Sequence, residues 1–120
     1  MAERITVALG GQWQIFLYQA ASGRRIVREF ILGLEPATQA KVERAVDLLV
    51  RHGPELGMPH SRRLTNQLFE LRIRGKIDIR LFYGFIGQRI YVLHVFVKKS
   101  QRLPQRELAT AQQRFRELGH

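Results

Sequence analysis

The sequence contains no cysteine, which excludes disulfide bonds, thiolate metal sites and a cysteine nucleophile. No apolar run approaches the roughly 20 residues that a membrane-spanning helix needs. The first eleven residues include Glu3 and Arg4 and are too weakly apolar for a secretory signal. We therefore expect a soluble cytoplasmic protein with no membrane partner.

Acidic residues are scarce. Ten Asp and Glu stand against twenty Lys and Arg among 120 residues, giving a net charge of +10. The length predicts a single domain over residues 1–120. A positive field of this strength usually has a polyanion as its partner, since binding releases counterions. We expect contact with nucleic acid; the alternatives are a solvated basic surface or one masked by an acidic protein.

Several common catalytic arrangements are missing as well. The carboxylates of Asp47, Glu70 and Asp78 are too scattered in sequence for a two-metal nuclease. The histidines at positions 52, 60, 94 and 120 lack ligand spacing, and the glycines form no phosphate-binding motif. We therefore expect neither a metal nor another cofactor.

Apolar spacing predicts the secondary structure. A strand is expected over residues 12–18, then two amphipathic helices separated by Gly33 and Pro36, the second ending at His52. Residues 55–65 lack periodicity and predict a loop. Strands begin at Leu68 and Ile79, a strand buried on both faces covers 90–97, and a helix follows Pro104. We expect the two consecutive helices to pack as a hairpin on one face of a sheet.

The charged residues of the first β-hairpin predict the register of its two strands. A three-residue loop over 74–76 pairs Glu70 with Arg80 and Arg72 with Asp78, so that opposite charges face each other. These four residues then share one sheet face, and the other face meets the helices.

The second hairpin permits two loop lengths. A two-residue loop, which we favour, turns His94 and Phe96 toward the helices and leaves Val95, Val97 and Lys99 on the side of Arg80. A three-residue loop reverses these faces. We therefore interpret His94 as a hydrogen-bonded core histidine, with a catalytic role as the alternative.

Cations at the end of the last strand offer phosphate chemistry. Lys98 and Lys99 follow an apolar run, and Arg72 and Arg80 lie on neighbouring strands. Arginine grips two phosphate oxygens at once, and fixed cations stabilise a developing oxyanion. The alternative for the two lysines is protection of an apolar strand against aggregation.

The chain resembles phage-derived HigB-like toxins of the RelE/ParE superfamily of type II toxin–antitoxin systems. The resemblance covers residues 13–115 and is carried by the strings at 68–72, 80–83 and 94–101, together with Pro104, Ala111 and Arg114. It implies a RelE-like α+β fold, in which a helical hairpin packs on one face of a small antiparallel sheet and a C-terminal helix follows.

The resemblance also implies an activity, that of a metal-independent mRNA endoribonuclease acting in the ribosomal A site and held inactive by an antitoxin. The implied catalytic cations are Arg72, Arg80, Lys98 and Lys99. We predict that five further cations bind RNA, namely Arg62, Arg63, Arg74, Lys76 and Arg102.

Two positions depart from the resemblance. Glu70 replaces a lysine of some relatives, and Leu108 stands nearest to a C-terminal tyrosine that can act in the reaction. The general acid and base are therefore not assigned. The alternatives to an endonuclease are a ParE-like gyrase inhibitor, which needs no cationic cluster, and a non-catalytic module that binds nucleic acid or a partner. The expected partners are the ribosome, mRNA and an antitoxin with a helix-turn-helix.

Overall fold

One mixed β-sheet organises the protein, in a computed structural model that describes residues 2–5 and 13–119. Its strand order is β1-β2-β6-β5-β4-β3, and neighbouring strands are antiparallel except that β2 runs parallel to β6. The strands are β1 Ala2–Ile5, β2 Gln14–Tyr18, β3 Ser61–Arg63, β4 Leu68–Ile73, β5 Ile79–Ile86 and β6 Arg89–Val97. The α+β class is confirmed, whereas a purely antiparallel sheet is wrong. As predicted, the last strand is central.

The helices cover both faces of the sheet. Helices α1 Ile26–Leu32 and α2 Pro36–His52 pack on one face, and α3 Gln105–Glu117 packs on the other. The boundaries expected at Pro36 and His52 are confirmed, and a short 3₁₀ turn, Gly53–Glu55, follows α2. Within the described residues, no helix is both long enough and apolar enough to cross a membrane.

Two short strands were not predicted. Strand β1 pairs with β2, and β3 lies inside the expected loop over 55–65, where it pairs with β4. Each lies at one edge of the sheet and is held by backbone hydrogen bonds to a single neighbour, so neither needs an apolar period. Residue 12 of the first predicted strand lies outside the described residues.

The hairpin of β4 and β5 has a different register from the predicted one. Its loop spans 74–78, so Arg72 faces Arg80 and Glu70 faces Phe82. The predicted pairs Glu70–Arg80 and Arg72–Asp78 are therefore wrong. The displacement is two residues, and because side chains alternate with a period of two, the face assignments of Glu70, Arg72 and Arg80 survive.

The loop between β5 and β6 has two residues, as predicted, with Ile86 facing Arg89. However, a β-bulge interrupts this pair further along. Phe82 faces His94 while Tyr83 faces Val92, which leaves Leu93 as the extra residue.

The bulge reverses the faces of the last part of β6. Val95 and Val97 pack with the α1 and α2 core, while His94 and Phe96 face the α3 side together with Arg80. The predicted sides of these four β6 residues are thus wrong. Lys99 lies beyond the end of the strand, so strand alternation does not place it.

Gly53 permits the close packing of α2 against Trp13. Its φ is 55°, and a Cβ there would come within 2.3 Å of the Trp13 indole nitrogen. We expect Gly53→Ala to lower the free energy of unfolding more than Gly87→Ala, measured by urea denaturation. Gly87 has a φ of 59° but open space around it, so Gly87→Ala carries only the backbone cost of a positive φ, about 1–2 kcal/mol. Gly53→Ala adds to that cost the strain of its ψ of −133° and the clash with Trp13. Equal losses would contradict a Trp13 clash.

Candidate functional site

A pocket of about 370 Å³ lies where β4, β5 and β6 meet their loops. We call it the basic pocket because six of its nine lining residues are cations. The lining residues are Arg62, Arg72, Arg74, Asp78, Arg80, Lys98, Lys99, Ser100 and Gln101. This density of positive charge suits a phosphate group.

Backbone pairing brings these residues together. Arg62 of β3 faces Glu70 of β4, and Arg72 of β4 faces Arg80 of β5. The chain after β6 is fixed to the hairpin loop, because the backbone N–H of Lys98 donates to the carbonyl oxygen of Asp78 at 2.7 Å. Residues far apart in sequence therefore line one cavity.

A buried carboxylate lies beneath the cations. Glu70 is fully buried, and its oxygens lie 3.1 Å from Arg62 Nε, 3.5 Å from Arg80 Nε and 3.9 Å from Arg72 Nε. Arg80 is itself only 3 % exposed and also pairs with Asp78. Since a buried charge is tolerated when it is paired, Glu70 and Arg80 stabilise each other. Arg62 and Arg72 approach Glu70 through their Nε atoms. Their terminal guanidinium nitrogens can therefore point away from Glu70, toward a ligand.

All four residues predicted to be catalytic line the basic pocket, namely Arg72, Arg80, Lys98 and Lys99. Lys99 is exposed and Lys98 half-buried, so both can reach a ligand. Of the five cations predicted to bind RNA, Arg62 and Arg74 line this pocket.

Two of the predicted RNA-binding cations lie elsewhere. Arg63 alternates to the other side of β3, where its guanidinium stacks on Phe69 at 5.5 Å and donates to the backbone oxygen of Asn66 at 2.7 Å. Lys76 is exposed in the hairpin loop and does not line the pocket. Arg63 therefore has a local structural role.

A second cavity, of about 260 Å³, adjoins the first and is called here the side pocket. It shares Lys98, Lys99 and Ser100 with the basic pocket and includes Arg102, the fifth predicted RNA-binding cation. The remaining lining residues are Phe96, Val97, Pro104 and Glu107. Glu107 was missed because only the bulge in β6, invisible in the sequence pattern, brings this part of α3 beside Phe96.

His94 lies between β6 and α3 and does not line either cavity. Its Nε2 lies 2.7 Å from Glu107 Oε1, and Arg114 donates to its Nδ1 at 3.2 Å. Because Nδ1 accepts, Nε2 carries the proton and donates to Glu107. Burial lowers the pKa of His94, an effect that the bond to Glu107 opposes. The prediction of a hydrogen-bonded histidine is confirmed, although its predicted side is wrong.

Leu108, at the position nearest to the relatives' tyrosine, lies on the buried face of α3, in one apolar cluster with Phe82 and Phe96. It presents no group that could transfer a proton. Among residues 2–5 and 13–119, no cluster of three or more His, Asp or Glu side chains could hold a metal ion.

A family model matches residues 29–116 and carries the description Phage derived protein Gp49-like (DUF891). The chain belongs to this Gp49-like family. The match extends from within α1 to the last turn of α3, and it contains every residue that lines the basic pocket. A comparison with curated proteins finds no match.

We expect Glu70→Gln to destabilise the Gp49-like fold by about 3–5 kcal/mol, because Arg62, Arg72 and Arg80 would lose their buried counter-charge. Urea denaturation measures this loss. Glu43→Gln, on an exposed position of α2, should stay within about 0.5 kcal/mol of the unmutated protein. High salt should recover part of the loss in the Glu70 variant alone. Equal stability of the two variants would contradict the role of Glu70.

The free energy of unfolding should fall as the pH drops below about 6.5. The pKa of His94 is lowered in the folded protein, so the unfolded chain takes up a proton that the folded one does not, and stability is lost until the folded pKa is reached. Above the unfolded pKa both states are neutral and the contribution vanishes. Denaturation of the protein and of His94→Gln between about pH 7 and pH 5 isolates the effect; parallel curves would contradict it.

Proposed function

We propose that this protein is the toxin of a type II toxin–antitoxin module and inhibits translation as a ribosome-dependent mRNA endonuclease. The observation that carries the proposal is the basic pocket, in which six cations converge on a space that suits a phosphate. Membership of a phage-derived family and the resemblance to HigB-like toxins support it.

The chemistry needs little beyond positive charge and alignment. The 2′-hydroxyl oxygen of a ribose attacks the adjacent phosphorus, its proton is removed, and the bond to the 5′-oxygen breaks as that oxygen gains a proton. Negative charge grows on the phosphoryl oxygens in between. Arg72, Lys98 and Lys99 would contact those oxygens, because cationic donors at that position stabilise the developing charge and lower the barrier.

Arg80 would act differently from these three. It is nearly buried and engaged with Glu70 and Asp78, so we assign it a fixed positive charge behind the phosphate and the positioning of its neighbours. Replacing it would also leave Glu70 with less compensation, which makes it a poor test of catalysis.

The residues that line the pocket support the proposed dependence on the ribosome. Its nine lining residues include no histidine, and their one carboxylate, Asp78, is paired with Arg80. The pocket therefore supplies charge stabilisation without an evident apparatus for aligning the 2′-hydroxyl. We propose that the ribosome holds the mRNA in the reactive geometry and so lowers the barrier to cleavage by orienting the 2′-hydroxyl toward the phosphorus.

The partner that restrains the toxin should be complementary to the same surface. A net charge of +10 would attract cellular RNA without selection, and an antitoxin with acidic segments would mask it. We propose a helix-turn-helix antitoxin that covers the basic pocket or the adjoining end of α3.

Lys99→Ala should lower the rate of ribosome-dependent mRNA cleavage by about 10²-fold if Lys99 stabilises the transition state, without changing the melting temperature because its side chain is exposed. The matched control is Arg44→Ala, which removes an exposed cation of α2 that lines neither cavity and should cleave like the unmutated protein. Cleavage is followed on programmed ribosomes by primer extension.

Equal cleavage by the two variants would contradict the role of the pocket. The function as a whole is tested by pulse labelling after expression without the antitoxin, in which protein synthesis should stop first. An earlier fall in DNA synthesis would favour a gyrase inhibitor, and unchanged growth would favour a non-catalytic module.

A further inference from the structure

We propose that the side pocket binds a nucleobase next to the phosphate held in the basic pocket, and that Glu107 selects bases carrying an exocyclic amino group over uracil. This inference rests on the proposed function, since it names a further part of the substrate. It concerns the cavity between the end of β6 and the start of α3, and in particular Glu107, to which the resemblance assigns no role.

The position of the cavity argues for a nucleotide rather than a peptide. Lys98, Lys99 and Ser100 line both cavities, so a phosphate bound by these residues on one side places its sugar and base toward the other. An acidic peptide would be repelled by the carboxylate of Glu107 in the side pocket. Such a peptide would bind in the neighbouring basic pocket instead.

The walls suit a flat heterocycle. Phe96 and Pro104 contribute apolar surface, and the Phe96 ring is fixed from two directions. It stacks with His94 at a centroid distance of 5.5 Å and meets Phe82 edge-on at 5.1 Å. Because Phe96 is only 7 % exposed, it provides a fixed apolar wall against which a base can pack, and apolar side chains commonly contact bases in single-stranded RNA.

Glu107 gives the cavity its selectivity. His94 donates from Nε2 to Oε1 of Glu107, which fixes the carboxylate while leaving Oε2 outside that bond. A carboxylate accepts hydrogen bonds only, so it favours a base with an amino donor, as when Glu or Asp accepts from the N4 amino group of cytosine. Uracil has a carbonyl oxygen at that position, which the carboxylate repels, and it offers only its ring N3–H as a donor.

The charge around Glu107 strengthens this argument. The charged residues that share the side pocket with it are the cations Lys98, Lys99 and Arg102. In the described part of the chain none of these three forms an ion pair with Glu107, whose carboxylate accepts instead from the neutral His94. A carboxylate that is held by a neutral histidine keeps its acceptor capacity for a ligand. The burial that lowers the pKa of His94 keeps this arrangement in place near neutral pH.

Cytidine 3′-monophosphate and uridine 3′-monophosphate provide the test, because they are nearly isosteric and carry the same charge. Titration of the ¹⁵N-labelled protein by NMR should show cytidine monophosphate binding about ten-fold more tightly, with shifts at the amides of Phe96 and Lys99. Glu107→Gln should abolish or reverse the preference, since its amide can accept from His94 while presenting a donor to the pocket.

Glu117→Gln is the matched control. It makes the same substitution in the same helix, but Glu117 accepts from the Tyr18 hydroxyl, away from the side pocket, so the preference for cytidine monophosphate should be retained. The comparison of the two nucleotides on the unmutated protein needs no variant and stands even if Glu107→Gln fails to fold.

Equal affinities for the two nucleotides, absence of shifts at the side pocket, or an unchanged preference in Glu107→Gln would each overturn the inference. Cleavage mapping separates it from the proposed function. Cutting without base preference at this position would overturn the inference alone. Discrimination between the nucleotides without any cleavage would overturn the endonuclease and leave the base site.

Discussion

The buried carboxylate of Glu70 is the constraint on which the rest of the candidate site depends. The register of β4 and β5 sets Arg72 directly opposite Arg80, a like-charge pairing that is unfavourable by itself. Glu70 lies two residues before Arg72 on the same face of β4, diagonal to Arg80 on β5. The Nε atoms of both arginines lie within 3.9 Å of a Glu70 carboxylate oxygen. A negative charge with no access to water therefore allows cations from adjacent strands to lie close together.

The bulge at Leu93 is the second determinant of the site. An uninterrupted β6 would carry His94 and Phe96 into the α1 and α2 core; one extra residue turns both toward α3. His94 then joins Glu107 and Arg114 of α3, and the start of that helix is brought next to the lysines that follow β6. The side pocket exists because of this single irregularity.

Sequence patterns predicted the parts of the site that depend on period and failed where an irregularity or a long-range partner decides. The helix ending at His52 and the helix after Pro104 were predicted correctly. The shared face of Arg72 and Arg80 was also correct, since a register error of two residues preserves the face. The sides of the later β6 residues were wrong because a bulge leaves no mark in alternation. Arg62 was grouped with Arg63 as an RNA-binding cation, although adjacent residues of a strand point to opposite sides.

The cations of the basic pocket thus divide into two kinds. Arg80 is interior and fixed by carboxylates on either side, whereas Lys99 is exposed and carries no such partner among the described ion pairs. An interior cation sets the electrostatic potential of the pocket without the entropic cost of being ordered by a ligand, while an exposed lysine can reorient toward an anionic ligand. The buried Arg80 therefore supplies the positive potential of the pocket, and the exposed Lys99 supplies an adaptable contact. Because Glu70 holds Arg80 in place, Lys99 need not be rigid.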